Sequence, residues 1–424
     1  MLRPITETTD SSSPGAAALI IVFATALMDS IGFGIMLPVL PELLMDIEGG
    51  DLSSAAQIGG WLMVIYAVIQ FVVSPLLGNL SDAIGRRPVL LVSLAVASIN
   101  YVLMGLAETL TVLIIGRILT GMGSATLSTC NAYIADTTKP EKRAQYFGII
   151  GAAFGLGFVI GPVIGGLIGD FGIRLPFFVA GALLGVNLLL GLLLLPESLN
   201  QQNQRAFTWR TANPVSTLIR LSRYKMITGL LCVIFIYQLG HHVLPSIWSY
   251  FTMHRFSWSA REIGYSMGFI GLLMALVQGL LIKVVLSRIG LRGAGILGMG
   301  CTSIAFLGYA GAIESWMIYI AMIPGALGAL AGPALNGLAS AKVDKNRQGE
   351  LQGGLASLMG LAAIIAPPLM TQTFYHFSQA NAAFYFSGAP FLLSAILTLI
   401  SLVLFIWIST DHPIQVNENN SRLS

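Results

Sequence analysis

Long apolar runs alternate with short polar connections along almost the whole chain. About 20 apolar residues are enough for an α-helix to cross the hydrocarbon core of a bilayer. Runs of that length lie near residues 17–40, 58–78, 89–107, 111–133, 144–168, 176–196, 226–251, 262–285, 293–312, 315–340, 350–376 and 382–408. The pattern therefore predicts an all-α polytopic membrane protein with twelve transmembrane helices.

The longest polar connection follows the sixth run and divides the chain into two halves of six spans each. Two similar bundles joined by such a linker are typical of secondary transporters. The sequence predicts an N-terminal tail over 1–16, an N-terminal six-helix bundle over 17–196, a linker over 197–225, a C-terminal six-helix bundle over 226–408 and a C-terminal tail over 409–424.

Composition supports this class of protein. Of the 424 residues, 55% are hydrophobic and 10% are charged, whereas soluble proteins carry about a quarter charged residues. Cys130, Cys232 and Cys301 fall within apolar runs and indicate core residues rather than a disulfide or a metal site. The sequence contains no catalytic triad, metal cluster or phosphate loop, so we expect no enzyme, no cofactor and no nucleic-acid partner. The polar start of the chain does not resemble a removable signal peptide.

The distribution of Lys and Arg predicts the orientation in the membrane. With both termini in the cytoplasm, 18 of the 22 Lys and Arg residues lie in cytoplasmic segments, which is the bias that inner-membrane proteins have. Arg174, Arg255 and Arg261 would face outside, and Arg117 lies within a span.

The loop over residues 78–88 carries the densest charge in the first third of the chain. Asp82 can pair with an arginine or cap a helix, and arginines anchor a loop on the positive side of a membrane. The loop is interpreted as a latch that pairs with a neighbouring helix end in one conformation and releases it in another. A simple turn with topological arginines is the alternative. The candidate gating residues here are Gly78, Asp82, Gly85, Arg86 and Arg87.

Small residues follow a fixed spacing along the fifth run. Glycines let membrane helices approach closely, and a proline bends a helix. The pattern predicts a close, kinked contact between the two halves that seals one side of the protein. Generic glycine-rich packing is the alternative. The residues are Gly148, Gly157, Gly161, Pro162, Gly165 and Gly166.

Two ionisable residues lie within apolar runs of the first half. Asp29 is in the first run and Arg117 is in the fourth. Charged groups are costly inside a bilayer and usually mark transport pathways, so a buried Asp29 is a candidate proton carrier. A functional relation between Arg117 and Asp29 is one hypothesis. A purely structural pair is the other.

Several uncharged polar residues also lie within the spans. They could line a central cavity for a moderately polar organic solute, or they could join helices by hydrogen bonds. Adjacent His241 and His242 cannot face the same way on a helix, so at most one is expected to face the cavity. The candidates are Gln70, Asn100, Asn131, Gln238, His241, Gln278 and Asn336.

The motifs resemble the major facilitator superfamily. Residues 78–88 are similar to its signature loop, residues 117–123 resemble its helix-4 signature, and the fifth-run glycines resemble the pattern of its drug/proton antiporters. Residues 28–34 and 132–136 are similar to the tetracycline efflux family, and so is the position of Arg143. The resemblance adds Asp136 and Arg143 to the gating residues, and it places Asp29 in a proton-linked or substrate-linked role.

Three positions depart from that family. Where tetracycline exporters carry an acid, an acid and a histidine, this chain has Asn100, Thr302 and Met274. The resemblance places Met274 beside the substrate cavity. Substrate identity can therefore differ from that of the family while the architecture is retained.

Together these features predict a proton-coupled antiporter in a bacterial inner membrane. It would work as a monomer and export a small organic molecule or drug by alternating access. An exporter or importer of a metabolite or siderophore is an alternative, and a membrane sensor that transports nothing is another.

Overall fold

The computed structural model describes residues 16–124, 126–199, 204, 225–344, 347–379 and 381–411. The regular elements in these ranges are all helical. The first half contains α1 (Ala16–Glu48), α2 (Leu52–Ile84), α3 (Arg86–Gly105), α4 (Leu110–Met122), α5 (Thr126–Thr137), α6 (Pro140–Gly169) and α7 (Leu175–Leu194). The second half contains α8 (Lys225–His241), α9 (Val243–Phe256), α10 (Ala260–Leu276), a π-helix (Val277–Leu281), α11 (Ile282–Gly311), α12 (Ser315–Leu327), a 3₁₀ turn (Gly328–Leu330), α13 (Ala331–Ala341), α14 (Gln348–Ser378) and α15 (Ala389–Asp411).

These helices form twelve spans. In three places two consecutive helices make one span: α4 with α5, α8 with α9, and α12 with α13. Conversely, Ala260–Gly311 is one continuous helical stretch of 52 residues, which is long enough to cross a bilayer twice. Gly290, with φ 66° and ψ −177°, breaks the helix within α11 and separates the two crossings. The described residues thus contain eleven long apolar helical stretches and twelve spans, so the predicted all-α polytopic fold is confirmed.

The predicted linker over 197–225 lies almost wholly outside the described residues, as do the predicted tails over 1–16 and 409–424. The exact bundle boundaries therefore remain predictions. For orientation, the tail side is the side on which α1 begins and α15 ends, and the far side is the opposite one.

Local capping fixes two of the turns on the far side. Asp51 precedes α2, and its carboxylate accepts the backbone N–H of Ser54 at 2.9 Å. Hydrogen bonds from Ser54 hold the pKa of Asp51 below its ordinary value. Ser259 precedes α10 and forms a capping box with Glu262.

Most of the contact between the two bundles is made by four helices. α6 packs against α10, and α2 packs against α14. Within the first bundle α6 also packs along α1, and within the second bundle α11 packs along α15. Because α6 touches helices of both bundles, its residues connect the interior of the first bundle to the interface.

The bundles are closed together on the far side. Gln57 of α2 donates to Gln372 of α14 over 3.0 Å, and Arg261 of α10 forms an ion pair with Asp170 after α6. A Cβ at Gly166 of α6 would overlap the backbone of α10. These contacts hold the two bundles together at that end.

The same four helices part on the tail side. A Cβ added to a glycine in that part of each helix would meet no atom within 4 Å. These glycines are Gly78 in α2, Gly148 in α6, Gly279 beside α10 and Gly349 in α14. Within the described parts of the chain, which leave out most of the predicted linker, the two bundles are therefore closed together on the far side and apart on the tail side, in a V.

Candidate functional site

Asp29 lies in the interior of the first bundle. It is partly buried on α1, and its carboxylate is within hydrogen-bonding reach of the Thr126 hydroxyl on α5. The neighbouring Ser30 donates to the carbonyl of Phe154 on α6 over 2.6 Å, which fixes the rotation of α1 at this level. Asp29 also lies close enough to Tyr66 and Tyr101 to act on them electrostatically.

Arg117 lies nearer the far side and is almost fully enclosed. Its side chain belongs to α4, and the residue is 3% exposed. Nη2 contacts the sulfur of Met36 at 2.6 Å, and Nε has no hydrogen-bond partner among the described residues. Tyr66, Tyr101 and Tyr250 lie within electrostatic range of the guanidinium.

Asp29 and Arg117 are not joined directly. The described residues contain no ion pair between them, and Asp29 is seven residues from Met36 on α1, which is about two turns or 10 Å of helix. Tyr66 and Tyr101 are within electrostatic range of both. Two tyrosines thus lie within electrostatic range of both the carboxylate and the guanidinium. The sequence did not predict this arrangement.

The predicted polar residues of the first bundle take different places. Gln70 forms a hydrogen bond with Tyr66, one turn earlier on α2, so it belongs to the group around Asp29 and Arg117. Asn100 is buried between α3 and α4, where it donates to the hydroxyl of Thr120 over 2.6 Å. Asn131 is partly buried on α5.

The predicted polar residues of the second bundle are more scattered. The ring of His241 packs against Tyr237 and Phe306, with centroid separations of 5.8 and 6.4 Å. The Tyr237 hydroxyl is 3.2 Å from that of Thr302. Gln238, Met274 and Asn336 are partly buried, and Gln278 is exposed within the π-helix. A π-turn inside a long helix often marks a functional position.

The charged loop forms a network on the tail side. Arg86 pairs with Asp82 at 2.5 Å and with Asp136 at 2.9 Å, and it also donates to the Ser81 hydroxyl at 2.6 Å. Asp136 ends α5, so the network ties the start of α3 to α5. All the residues of this network belong to the first bundle, which the network ties together.

Glu197 completes the network, and the sequence analysis did not assign it a role. Its carboxylate accepts the backbone N–H groups of Arg86 at 2.9 Å and of Arg87 at 3.2 Å. Gly85 has φ 110°, and a Cβ there would overlap the Glu197 carboxylate. Glu197 follows the sixth span directly. An acid that comes after a proline at the end of a span is the sequence feature that could have pointed to this role. Arg143 bonds the carbonyl of Thr138 at 3.1 Å.

The glycines of α6 face two partners. A Cβ at Gly157, Gly161 or Gly165 would overlap the backbone of α1, within the same bundle. The carbonyl of Pro162 lies against Gly264 of α10, and Gly166 also faces α10. Pro162 and Gly166 thus lie at the interface with the second bundle, whereas three of the glycines pack within the first bundle. Their part in sealing one side of the protein stays a prediction. Gly148 is exposed on the open tail side.

Comparison with known proteins identifies the family. The family model described as "Major Facilitator Superfamily" matches residues 22–367. This chain belongs to the major facilitator superfamily. "Tetracycline resistance protein, class C" of Escherichia coli is 40% identical over 385 residues, covering 91% of this chain and 95% of that protein. "Tetracycline resistance protein, class H" of Pasteurella multocida is 35% identical over 395 residues, covering 91% and 95%.

Solved structures agree on the superfamily fold. The crystal structure of the human organic anion transporter MFSD10 (TETRAN) superposes with a TM-score of 0.70 at 24% identity, covering 92% of this chain and 99% of that one. The predicted resemblance is thereby confirmed, and the protein is a secondary active transporter of the superfamily rather than an enzyme. The V shape is one of the two states that alternating access requires.

Proposed function

We propose that this protein exports a small organic molecule across the bacterial inner membrane in exchange for protons, with the tail side in the cytoplasm. The names of its relatives make tetracyclines the first substrates to test. The excess of Lys and Arg in the tail-side segments supports the orientation. A monomer is sufficient for this mechanism because both bundles belong to one chain.

The observation that carries the proposal is the position of Asp29. A carboxyl group held inside a bundle beside a hydroxyl, with two tyrosines and an arginine nearby, can be neutral in one state and ionised in the other. When the molecule is open to the cytoplasm, Asp29 releases its proton there and substrate enters. When the far side opens, Asp29 is protonated again and substrate leaves.

Two positions that are acidic in tetracycline exporters are neutral in this chain, so we assign proton exchange to Asp29. Asn100 and Thr302 occupy positions where tetracycline exporters carry acids, and here both make neutral hydrogen bonds, to Thr120 and Tyr237. With those acids missing, Asp29 is the carboxyl group that we assign to coupling.

The charged network gives the first bundle the stiffness that alternating access needs. Arg86 and Glu197 fasten the tail-side ends of α3, α5 and α7 to one another. A bundle tied in this way moves as one body about the interface of α6 with α10. The latch would engage the second bundle when the tail side closes.

Everted membrane vesicles from a pump-deficient bacterium test the proposal. Wild-type vesicles should accumulate tetracycline when respiration establishes a proton gradient, and a protonophore should stop accumulation. Asp29→Asn should abolish gradient-driven accumulation. Glu48→Gln is the matched control, because Glu48 is an exposed carboxylate at the end of the same helix.

Two results would overturn the proposal. One is equal accumulation by wild type and Asp29→Asn that does not depend on the proton gradient. The other is the absence of gradient-driven movement for every compound in a panel that includes drugs, metabolites and siderophores. If the proton gradient moved only a metabolite or a siderophore, the proposed proton coupling would stand. The proposed drug substrate would then be replaced by that compound.

A further inference from the structure

Two buried hydrogen-bond donors beside the far-side half of α1 lack partners among the residues that the structure describes. Nε of Arg117, on α4, has none, and neither does the hydroxyl of Tyr250, on α9. Each residue is 3% exposed. Leaving a buried donor unpaired is costly, and more so for a charged one, so such a group in a native protein requires an explanation.

The two donors come from different bundles and meet around one segment of α1. Met36 contacts the guanidinium of Arg117, and the carbonyl of the next residue, Leu37, accepts the hydroxyl of Ser249 at 2.8 Å. Ser249 directly precedes Tyr250, whose hydroxyl reaches across to Gly59 of α2. Tyr250 also lies within electrostatic range of Arg117.

The described parts of the chain supply no carboxylate to this pair. The ion pairs in the described parts of the chain do not include Arg117, and Asp29 is two helical turns nearer the tail side. The atom that Nη2 contacts is the thioether of Met36, which is a weak acceptor on a flexible side chain. A stronger acceptor could displace it without moving the helix.

We propose that Arg117 and Tyr250 form a subsite for an anionic oxygen of the transported molecule, such as a carboxylate or an acidic enol. The oxygen accepts hydrogen bonds from Arg117 Nε and from the Tyr250 hydroxyl, and the substrate group displaces the side chain of Met36. This inference rests on the proposed export function and names the substrate class at that site. It predicts selection for organic acids over their esters.

The location gives the subsite a role in the cycle. Arg117 belongs to the first bundle and Tyr250 to the second, so one oxygen bound by both donors bridges the bundles at the closed far side. Opening of that side separates the two donors. The bridged acid therefore binds the tail-open state more tightly than the far-open state, which favours release outside.

Equilibrium binding to purified protein tests the inference. The probes are pairs of fluorescent compounds that differ only in a carboxylate and its methyl ester, for example rhodamine 110 and rhodamine 123, together with further acid and ester pairs. Wild type should bind acids more tightly than their esters. Tyr250→Phe should weaken binding of the acid by about 10-fold to 100-fold, the effect of one charge-assisted hydrogen bond, and leave the ester unchanged.

Two further variants complete the design. Arg117→Gln should abolish the preference for acids. Tyr265→Phe is the control, because Tyr265 is 48% exposed on α10, and it should bind both probes as wild type does. Tyr250→Phe removes an unpaired hydroxyl, so its melting temperature should equal or exceed that of wild type, which excludes misfolding as the cause of weaker binding.

The inference is wrong if no acid in the panel binds more tightly than its ester, or if Tyr250→Phe weakens acid and ester equally. Because binding is measured without a gradient, its outcome is separate from that of the coupling test. Acid selectivity lost in Tyr250→Phe would stand even if Asp29→Asn left transport intact.

Discussion

Nε of Arg86 donates to Oδ2 of Asp136 over 2.9 Å, joining the start of α3 to the end of α5. Arg86 is 8% exposed, and its guanidinium also pairs with Asp82. Glu197 binds the backbone at the same corner. The guanidinium of Arg86 is therefore paired from two helices, α2 and α5, and loss of these pairs should affect the whole first bundle.

We predict that Asp136→Asn destabilises the protein by about 1–3 kcal/mol, because a nearly buried guanidinium loses one of its two carboxylates. Thermal unfolding of the purified protein in detergent measures the effect as a lower melting temperature. Glu141→Gln, at an exposed acid near the start of α6, should leave the melting temperature unchanged. Equal melting temperatures for wild type and Asp136→Asn would contradict a structural role for the Arg86 pair.

Gly85 and Gly78 should respond differently to alanine. Gly85 has φ 110° and faces the Glu197 carboxylate, so Gly85→Ala should cost about 1–3 kcal/mol. Gly78 is helical with no atom within 4 Å of an added Cβ, so Gly78→Ala should be neutral or slightly stabilising. Melting temperatures of the two variants check this. A similar loss in both would show that the loop tolerates no side chain for some other reason.

The fold could be predicted from the sequence because each span is long and apolar. The twelve runs were recognisable even where the structure departs from one helix per run. The break at Gly290 and the split of the fourth span into α4 and α5 depend on local backbone geometry, which hydropathy does not report. The resemblance to the superfamily could also be recognised from the sequence, because its motifs are present there.

The site was less predictable because its partners come from distant parts of the chain. Asp29 and Arg117 stood out as charges in apolar runs, whereas Tyr66, Tyr101 and Tyr250 look like ordinary aromatic residues of a membrane helix. Glu197 looks like the first polar residue of a linker. Only the folded chain brings its carboxylate to the backbone of Arg86 and shows which α6 glycines face α1.

Added volume should be poorly tolerated at Gly157, one of the three α6 glycines that face the backbone of α1. A Cβ there would lie 2.5 Å from the Leu27 carbonyl oxygen and 2.8 Å from Cβ of Ser30, so the helices must separate. Gly157→Ala should lower stability by about 1–3 kcal/mol. Gly148→Ala on the same helix meets nothing within 4 Å and should not lower it. Denaturation in detergent distinguishes them, and an unchanged Gly157→Ala would mean that α1 and α6 do not pack so closely.

Chemical cross-linking should distinguish the closed far side from the open tail side. In a background without Cys130, Cys232 and Cys301, the pair Gln57→Cys and Gln372→Cys should react rapidly with a short bifunctional methanethiosulfonate, because the native side chains are 3.0 Å apart. The cross-link holds α2 against α14 on the far side, so transport should stop. Dithiothreitol should restore it.

The matched pair is Gly78→Cys with Gly349→Cys, on the tail-side ends of the same two helices. Neither glycine has an atom within 4 Å of an added Cβ, so without substrate this pair should react much more slowly. A proton gradient and substrate should raise its rate, because cycling closes the tail side. If the tail-side pair reacted faster than Gln57→Cys with Gln372→Cys in the resting protein, the tail-open V would not be the resting conformation. Each bundle could still pack internally as described, because the packing of α1 against α6 does not depend on which side of the protein is closed.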